Sequence, residues 1–126
     1  MHVFLLYLPM QESKSLLKGS LNAIILTLLS SKGSMYGYEI CQHVKELTAG
    51  QMRITEGALY PALHKLEGDG LLISHSEMVD GRSRKYYAIA PERKEQAVDH
   101  LTKVQEFIAQ LQTVLSPDIL PDLKMN

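Results

Sequence analysis

Apolar residues along this chain recur first at helical spacing, then at strand spacing, then in heptads. In residues 16–29, Leu17, Leu21, Ile24 and Leu28 repeat every three or four positions, with Ile25 and Leu29 beside them. So wide an apolar face predicts a helix buried on more than one side. Residues 31–34 (SKGS) break the pattern. Ile40, Val44 and Leu47 predict a second helix over about residues 36–47, ended by Ala49-Gly50. Thr55 suits the N-cap of a third helix, with Leu59, Leu63 and Leu66 inward and Gly68 and Gly70 as the stop. Pro61 removes one backbone donor there and predicts a kinked first turn. Residues 71–77 and 84–89 read as strands around an Asp80-Gly81 turn, because Asp-Gly tolerates positive φ. Pro91 suits the first position of a long last helix. Its Ala97, Leu101, Val104, Ile108, Leu111 and Leu115 follow spacings of 4, 3, 4, 3 and 4, an a/d seam.

The expected fold class is mainly α with a small β-hairpin. Helix, strand and basic hairpin in that order form the back half of a winged helix-turn-helix, here followed by a dimerisation helix. The expected organisation is an irregular N-terminal extension at 1–13, the winged domain at 14–90, the dimerisation helix at 91–115 and an irregular tail at 116–126. The opening MHVFLLYLPM is apolar but stops at Pro9, short of the roughly 20 residues a spanning helix needs. It lacks the basic start and small-residue cleavage site of a secretory leader, and Met10 offers an alternative start. No membrane partner is expected.

The 126 residues carry 13 Lys+Arg against 14 Asp+Glu, which excludes a non-specific polycation. Residues 11–90 hold nine basic and eight acidic residues, whereas 91–126 hold four and six. The single cysteine, Cys41, cannot form an intramolecular disulfide, so a reducing, cytoplasmic setting is expected. Cys41 falls on the apolar side of the second helix and reads as a small buried hydrophobe, with a redox sensor as the alternative. The five histidines are scattered, and no H-x-x-x-H, CxxC or Gly-rich phosphate loop occurs. No catalysis, metal or cofactor is therefore expected.

The chain resembles the PadR-like transcriptional regulators. The resemblance rests on Tyr36-Gly37-Tyr38-Glu39-Ile40 at the second helix and Gly57-Ala58-Leu59-Tyr60-Pro61-Ala62-Leu63 in the third. Leu66-Glu67, Gly70-Leu71-Leu72 and Arg84-Lys85-Tyr86-Tyr87 continue it, in the right order, over about residues 14–115. It implies the short form with one C-terminal dimerisation helix. Where the family has a Thr-x-x-Gly step after the wing, this chain reads Ala90-Pro91-Glu92-Arg93. It has no Trp, so the aromatic drug site of some small members does not carry over.

In a helix-turn-helix the recognition helix, here the third, enters the major groove with its first residues nearest the bases. Thr55, Glu56, Ala58, Tyr60 and His64 are the candidates for that face. Glu56 can accept from a cytosine amino group or merely complement the helix start, and Ala58 can touch a thymine methyl. Tyr60 matches the family's recognition-helix tyrosine and can offer its hydroxyl to a phosphate. Lys65 suits the DNA backbone. Arg82, Arg84 and Lys85 make a basic wing tip for phosphates or the minor groove. Lys14, Ser15 and Lys18 at the first helix, and Tyr38 on the second, are further phosphate candidates.

Leu101, Val104, Ile108, Leu111 and Leu115 are the expected dimer seam. A symmetric pair would set two recognition helices about one DNA turn, roughly 34 Å, apart on a pseudo-palindromic operator in double-stranded DNA. The resemblance implies repression from such a site. A small-molecule inducer would act by preferring one spacing of the two domains. Ile25, Leu28 and Phe107, with Val104, Ile108 and Leu111, are the candidate lining for it, and plain core is their other reading. A winged-helix module that binds protein rather than DNA is the alternative function.

Overall fold

The computed structural model describes the backbone of residues 2–116 and side chains from Leu16 onward, Lys18 excepted. The expected tail beyond Ser116 lies outside the described residues. The elements are α1 (His2–Lys32), β1 (Ser34–Tyr36), α2 (Gly37–Leu47), α3 (Glu56–Gly68), β2 (Leu72–Val79), β3 (Arg82–Ile89), a 3-10 turn (Pro91–Arg93) and α4 (Lys94–Val114). The fold is mainly helical, and its three-stranded antiparallel sheet runs in the order β1-β3-β2.

Four local expectations are corrected. The stretch expected to be irregular at 1–13 is helical from His2 onward, as the start of α1. Helix growth past a nucleus is cooperative, and Pro9 withholds a single backbone donor. Second, the breaker after α1 contains a strand. Ser34, Met35 and Tyr36 pair with Ala88, Tyr87 and Tyr86. Three residues are too few for alternation to register, and the pairing comes from the open edge of β3, which is distant in sequence. Third, Leu47 does not continue the inward stripe of α2; it is 67% exposed at the helix's last position. Finally, Pro91 opens a 3-10 turn rather than the first α-turn.

The core forms where α1 meets α3, α4 and β3. Leu21, Ile25, Leu26, Leu28 and Leu29 of α1 are buried, as the wide apolar face required. Ile40 and Val44 of α2 join them, and Leu59, Leu63 and Leu66 of α3 form the inward stripe. Met35, Leu72 and Tyr87 close the core from the sheet. Cys41 is partly buried against it. Its thiol pKa is pushed up by burial and by the nearby Glu56 charge, which keeps it a protonated small hydrophobe at neutral pH.

Two features aim the hairpin. Asp80 (φ +52°) and Gly81 (φ +78°) both occupy left-handed backbone between Val79 and Arg82. That two-residue turn matches the twist of the flanking strands. At the other end the Ala90 N–H donates to the Leu71 carbonyl at 2.8 Å. Ala90 is itself fully buried. Where the chain reads Ala-Pro-Glu-Arg, it therefore leaves the sheet in a closed turn and enters α4 through the 3-10 turn Pro91–Arg93.

Candidate nucleic-acid interface

The third helix begins as its cap residue dictates. Thr55 is extended, and its hydroxyl accepts the Ala58 N–H at 3.2 Å. With Leu59, Leu63 and Leu66 held inward, the opposite face presents Gly57, Pro61, His64 and Gly68, all exposed. Thr55, Glu56, Ala58 and Lys65 are exposed beside them, and Tyr60 is half-buried. Pro61 lies within a continuous helix; its ring is on the solvent side and only the Gly57 carbonyl loses a donor. A face made of Gly57 and Pro61 is low and flat. In the sequence Pro61 reads only as a kink and Gly57 only as part of the family motif; their i, i+4 spacing away from the leucine stripe is the signal that places them on one face.

Tyr60 stands at the edge of this face. Its hydroxyl donates to Glu56 Oε1 at 3.4 Å, one helical turn back. Its ring lies 6.1 Å from that of His64. The ring tip abuts Gly37 at the start of α2, where an added Cβ would stand 2.6 Å from the Tyr60 oxygen. Only a residue without a side chain leaves that room, which explains the glycine between Tyr36 and Tyr38. Burial and the neighbouring Glu56 charge push the Tyr60 hydroxyl pKa up, so it remains a proton donor. The phosphate contact expected of that hydroxyl has a competitor in Glu56.

The three basic residues of the wing do not act as one cluster. In β3, Arg82 and Arg84 fall on one face and Lys85 on the other, as strand alternation requires. Lys85 Nζ is 3.3 Å from Glu67 Oε1 on α3. The Ser74 hydroxyl also donates to Glu67. That bond first, and Lys85 second, hold the Glu67 carboxyl below its ordinary range. Lys85 thus ties the wing to the recognition helix. Glu67 was not among the expected site residues; its polar position beside the leucine stripe was the only hint.

Arg84 takes a different partner. It faces Glu77 in the strand register, yet its guanidinium lies 4.2 Å from the centroid of the Tyr36 ring. Tyr36 meets Tyr86 edge to face at 5.4 Å, and His75 stacks on Tyr86 at 5.4 Å. The Tyr36 N–H donates to Glu39 Oε1 at 3.3 Å, closing the start of α2. Tyr36 therefore joins the mouth of α2 to the wing, a role visible in sequence only as an aromatic where a short polar cap is usual.

Tyr36, Tyr60, Asp80, Arg82, Ser83, Arg84 and Lys85, with Val79, line an open cleft of about 480 Å³. It brings the edge of α3, the start of α2 and the wing tip together. Tyr38 is 52% exposed on α2. Lys65 is exposed near the end of α3, 3.7 Å from Asp69. The expected phosphate candidates Lys14, Ser15 and Lys18 lie outside the described side chains. The candidate inducer residues are not gathered in one place. Ile25 and Leu28 are sealed in the core, with nothing for a ligand to touch, while Phe107 is 60% exposed. On α4, Ala97 is buried and Leu101 and Val104 are half-buried. Beyond them Phe107, Ile108, Leu111, Val114 and Leu115 are exposed by 42–60%.

This geometry has known counterparts. The family model for the transcriptional regulator PadR-like family matches residues 25–97. Over 47 residues the chain is 49% identical to transcriptional regulator Rv3488 of Mycobacterium tuberculosis. That match covers 37% of this chain and 44% of the relative, so it spans less than half of that protein's length. A transcriptional regulator from Clostridium thermocellum superposes with a TM-score of 0.68 at 30% identity, covering 80% of this chain and 94% of that one. A PadR family transcription regulator from Clostridium difficile gives a TM-score of 0.60 at 28% identity, with 76% and 97% covered.

Proposed function

Because the chain belongs to the PadR-like family of transcriptional regulators, whose fold is a DNA-binding winged helix-turn-helix, we propose that it acts in the cytoplasm as a homodimeric repressor. Its target is a pseudo-palindromic operator, and a small-molecule inducer relieves the repression. The observation that carries the reading is the cleft shared by α3, Tyr36 and the basic wing tip. In this reading a duplex lying on the exposed face of α3 meets Arg82 and Arg84 of the wing along its backbone. Thr55, Glu56, Ala58 and His64 face the base edges in the major groove, while Lys85 ties the wing to α3 through Glu67 and Tyr60 packs α3 against the start of α2.

Dimerisation is supported by the exposed apolar row on α4, which the described residues of its own domain leave uncovered. Two such helices packed across a two-fold axis would place the recognition helices about one DNA turn, roughly 34 Å, apart. An inducer acts here by favouring a different separation of the two domains. Core residues such as Ile25 and Leu28 would only transmit the change.

The test is fluorescence anisotropy on the duplex upstream of the protein's own gene and on a scrambled duplex, at two salt concentrations. A specific regulator prefers the native duplex and loses affinity steeply with salt, by about one unit of log-log slope for each phosphate contact. Absence of binding to any duplex at low salt refutes the reading and favours a winged-helix module that recognises protein.

A further inference from the structure

Glu56 stands at the first position of α3, exposed, on a side chain with three rotatable bonds. Left alone, such a carboxylate samples several directions and discriminates poorly between bases, because an ordered contact must offset the lost rotamer freedom. Here it has a neighbour that limits its range. The Tyr60 hydroxyl lies 3.4 Å from Glu56 Oε1. That is long for a hydroxyl–carboxylate bond, so the ring's seat, more than the bond itself, decides where the donor stands. The seat is Gly37. A methyl at that position would come within 2.6 Å of the hydroxyl oxygen and 2.8 Å of the ring carbon that bears it. The ring is thus pressed against the start of α2, with its hydroxyl turned along α3 toward the helix N-terminus.

Resting on the reading of α3 as the base-reading helix, we propose that Tyr60 is a specificity-determining positioning residue. Seated against Gly37, it orients the Glu56 carboxylate so that the free oxygen accepts a hydrogen bond from one cytosine amino group in the major groove. Tyr60 itself touches no base. Its hydroxyl remains protonated, since burial and the Glu56 charge both raise its pKa, and it therefore acts only as a donor to the carboxylate. Cytosine N4 is the donor that a fixed carboxylate accepts from across the major groove. Gly37 acts one step further back, and the α2–α3 contact becomes part of the sequence code.

The experiment uses the full chain and a duplex library with a randomised central 30 base pairs. Selection with the wild-type protein gives the preferred motif, and affinities are then measured on duplexes changed one base pair at a time. Glu56→Gln identifies the pair read by the carboxylate, by relaxing the preference for cytosine there. Tyr60→Phe keeps the ring and removes the donor. It is expected to cut discrimination at that same pair by about fivefold or more and to leave the other positions and the salt slope unchanged. Gly37→Ala displaces the ring from the opposite side and should relax the same pair. Thermal melts of each variant confirm that the fold is retained.

Retention of full cytosine preference by Tyr60→Phe, when Glu56→Gln has lost it, overturns the positioning role and leaves base reading by Glu56 intact. A uniform loss across all duplexes in Tyr60→Phe, with a shallower salt slope, also overturns it and makes the hydroxyl a phosphate contact. If Glu56→Gln relaxes no pair, base reading by Glu56 fails and the inference fails with it.

Discussion

The exposed row on α4 sets the most quantitative expectation. Phe107, Ile108, Leu111, Val114 and Leu115 are 60, 47, 42, 60 and 52% exposed. Full burial of such side chains is worth about 1.5–3 kcal/mol each. With roughly half of each still accessible, covering the row contributes about 1 kcal/mol per residue, about 5 per helix and about 10 for a symmetric pair. Association costs about 4–15 kcal/mol in lost translational and rotational freedom. The pair is therefore stable only if most of the row is engaged, and two charges within it should be decisive. Ile108→Asp with Leu111→Asp is the informative variant. It removes about 2 kcal/mol per protomer and about 4 per pair, a weakening of about a thousandfold, before the cost of desolvating four carboxylates. Leu101→Asp is a poorer probe, because Leu101 packs partly against its own domain's core and its loss would damage the protomer. Sedimentation equilibrium should show a dimer for the wild type and a monomer for the double variant at low micromolar concentration. The helical circular dichroism of the winged domain should be retained. A double variant that still sediments as a dimer would refute the reasoning and place the interface elsewhere.

Three other outcomes are expected. Arg84→Ala should weaken binding to all duplexes alike and lower the log-log salt slope by about one; a change confined to one base pair would instead make Arg84 a base reader. Thr55→Ala should lower unfolding stability by about 1 kcal/mol in denaturant titration, because it removes the hydroxyl acceptor of the Ala58 N–H and leaves that donor only the Thr55 carbonyl; an unchanged midpoint would mean that the hydroxyl contributes nothing to the cap. Glu67 should titrate by NMR below the range of a free glutamate, held there by the Ser74 hydroxyl and then Lys85. Since its folded pKa is depressed, its contribution to stability is present above the unfolded pKa and is lost as pH falls through the folded one. Ser74→Ala should move the titration upward, and no movement would remove Ser74 as the main cause.

Much of the fold is legible locally. Leu59, Leu63 and Leu66 state the inward face of α3 by spacing alone, and Thr55 marks its first turn through hydrogen-bonding chemistry confined to four residues. Asp80-Gly81 specifies a tight hairpin because few other pairs accept two positive φ angles. The heptad on α4 is visible because its period is repeated often enough to register. Other features escaped for opposite reasons. β1 is too short to carry a period, and it exists only because β3 offers an edge. Leu47 matched the stripe of α2, but spacing cannot tell where the packed neighbour ends.

The candidate site divides the same way. The residue types, a polar helix start followed by a basic turn, follow from the order of the chain, because they depend on helix period and strand alternation. Their partners do not. Arg82, Arg84 and Lys85 are a single basic run in sequence, and only the pleat of β3 sends Lys85 to Glu67 and Arg84 to Tyr36. Gly37 and Tyr60 are 23 positions apart. Their contact depends on the angle at which α2 crosses α3, and that angle is set by how the whole core packs. Periodicity along one chain determines which face of an element is buried; which groups meet across two elements is decided only when the elements are packed.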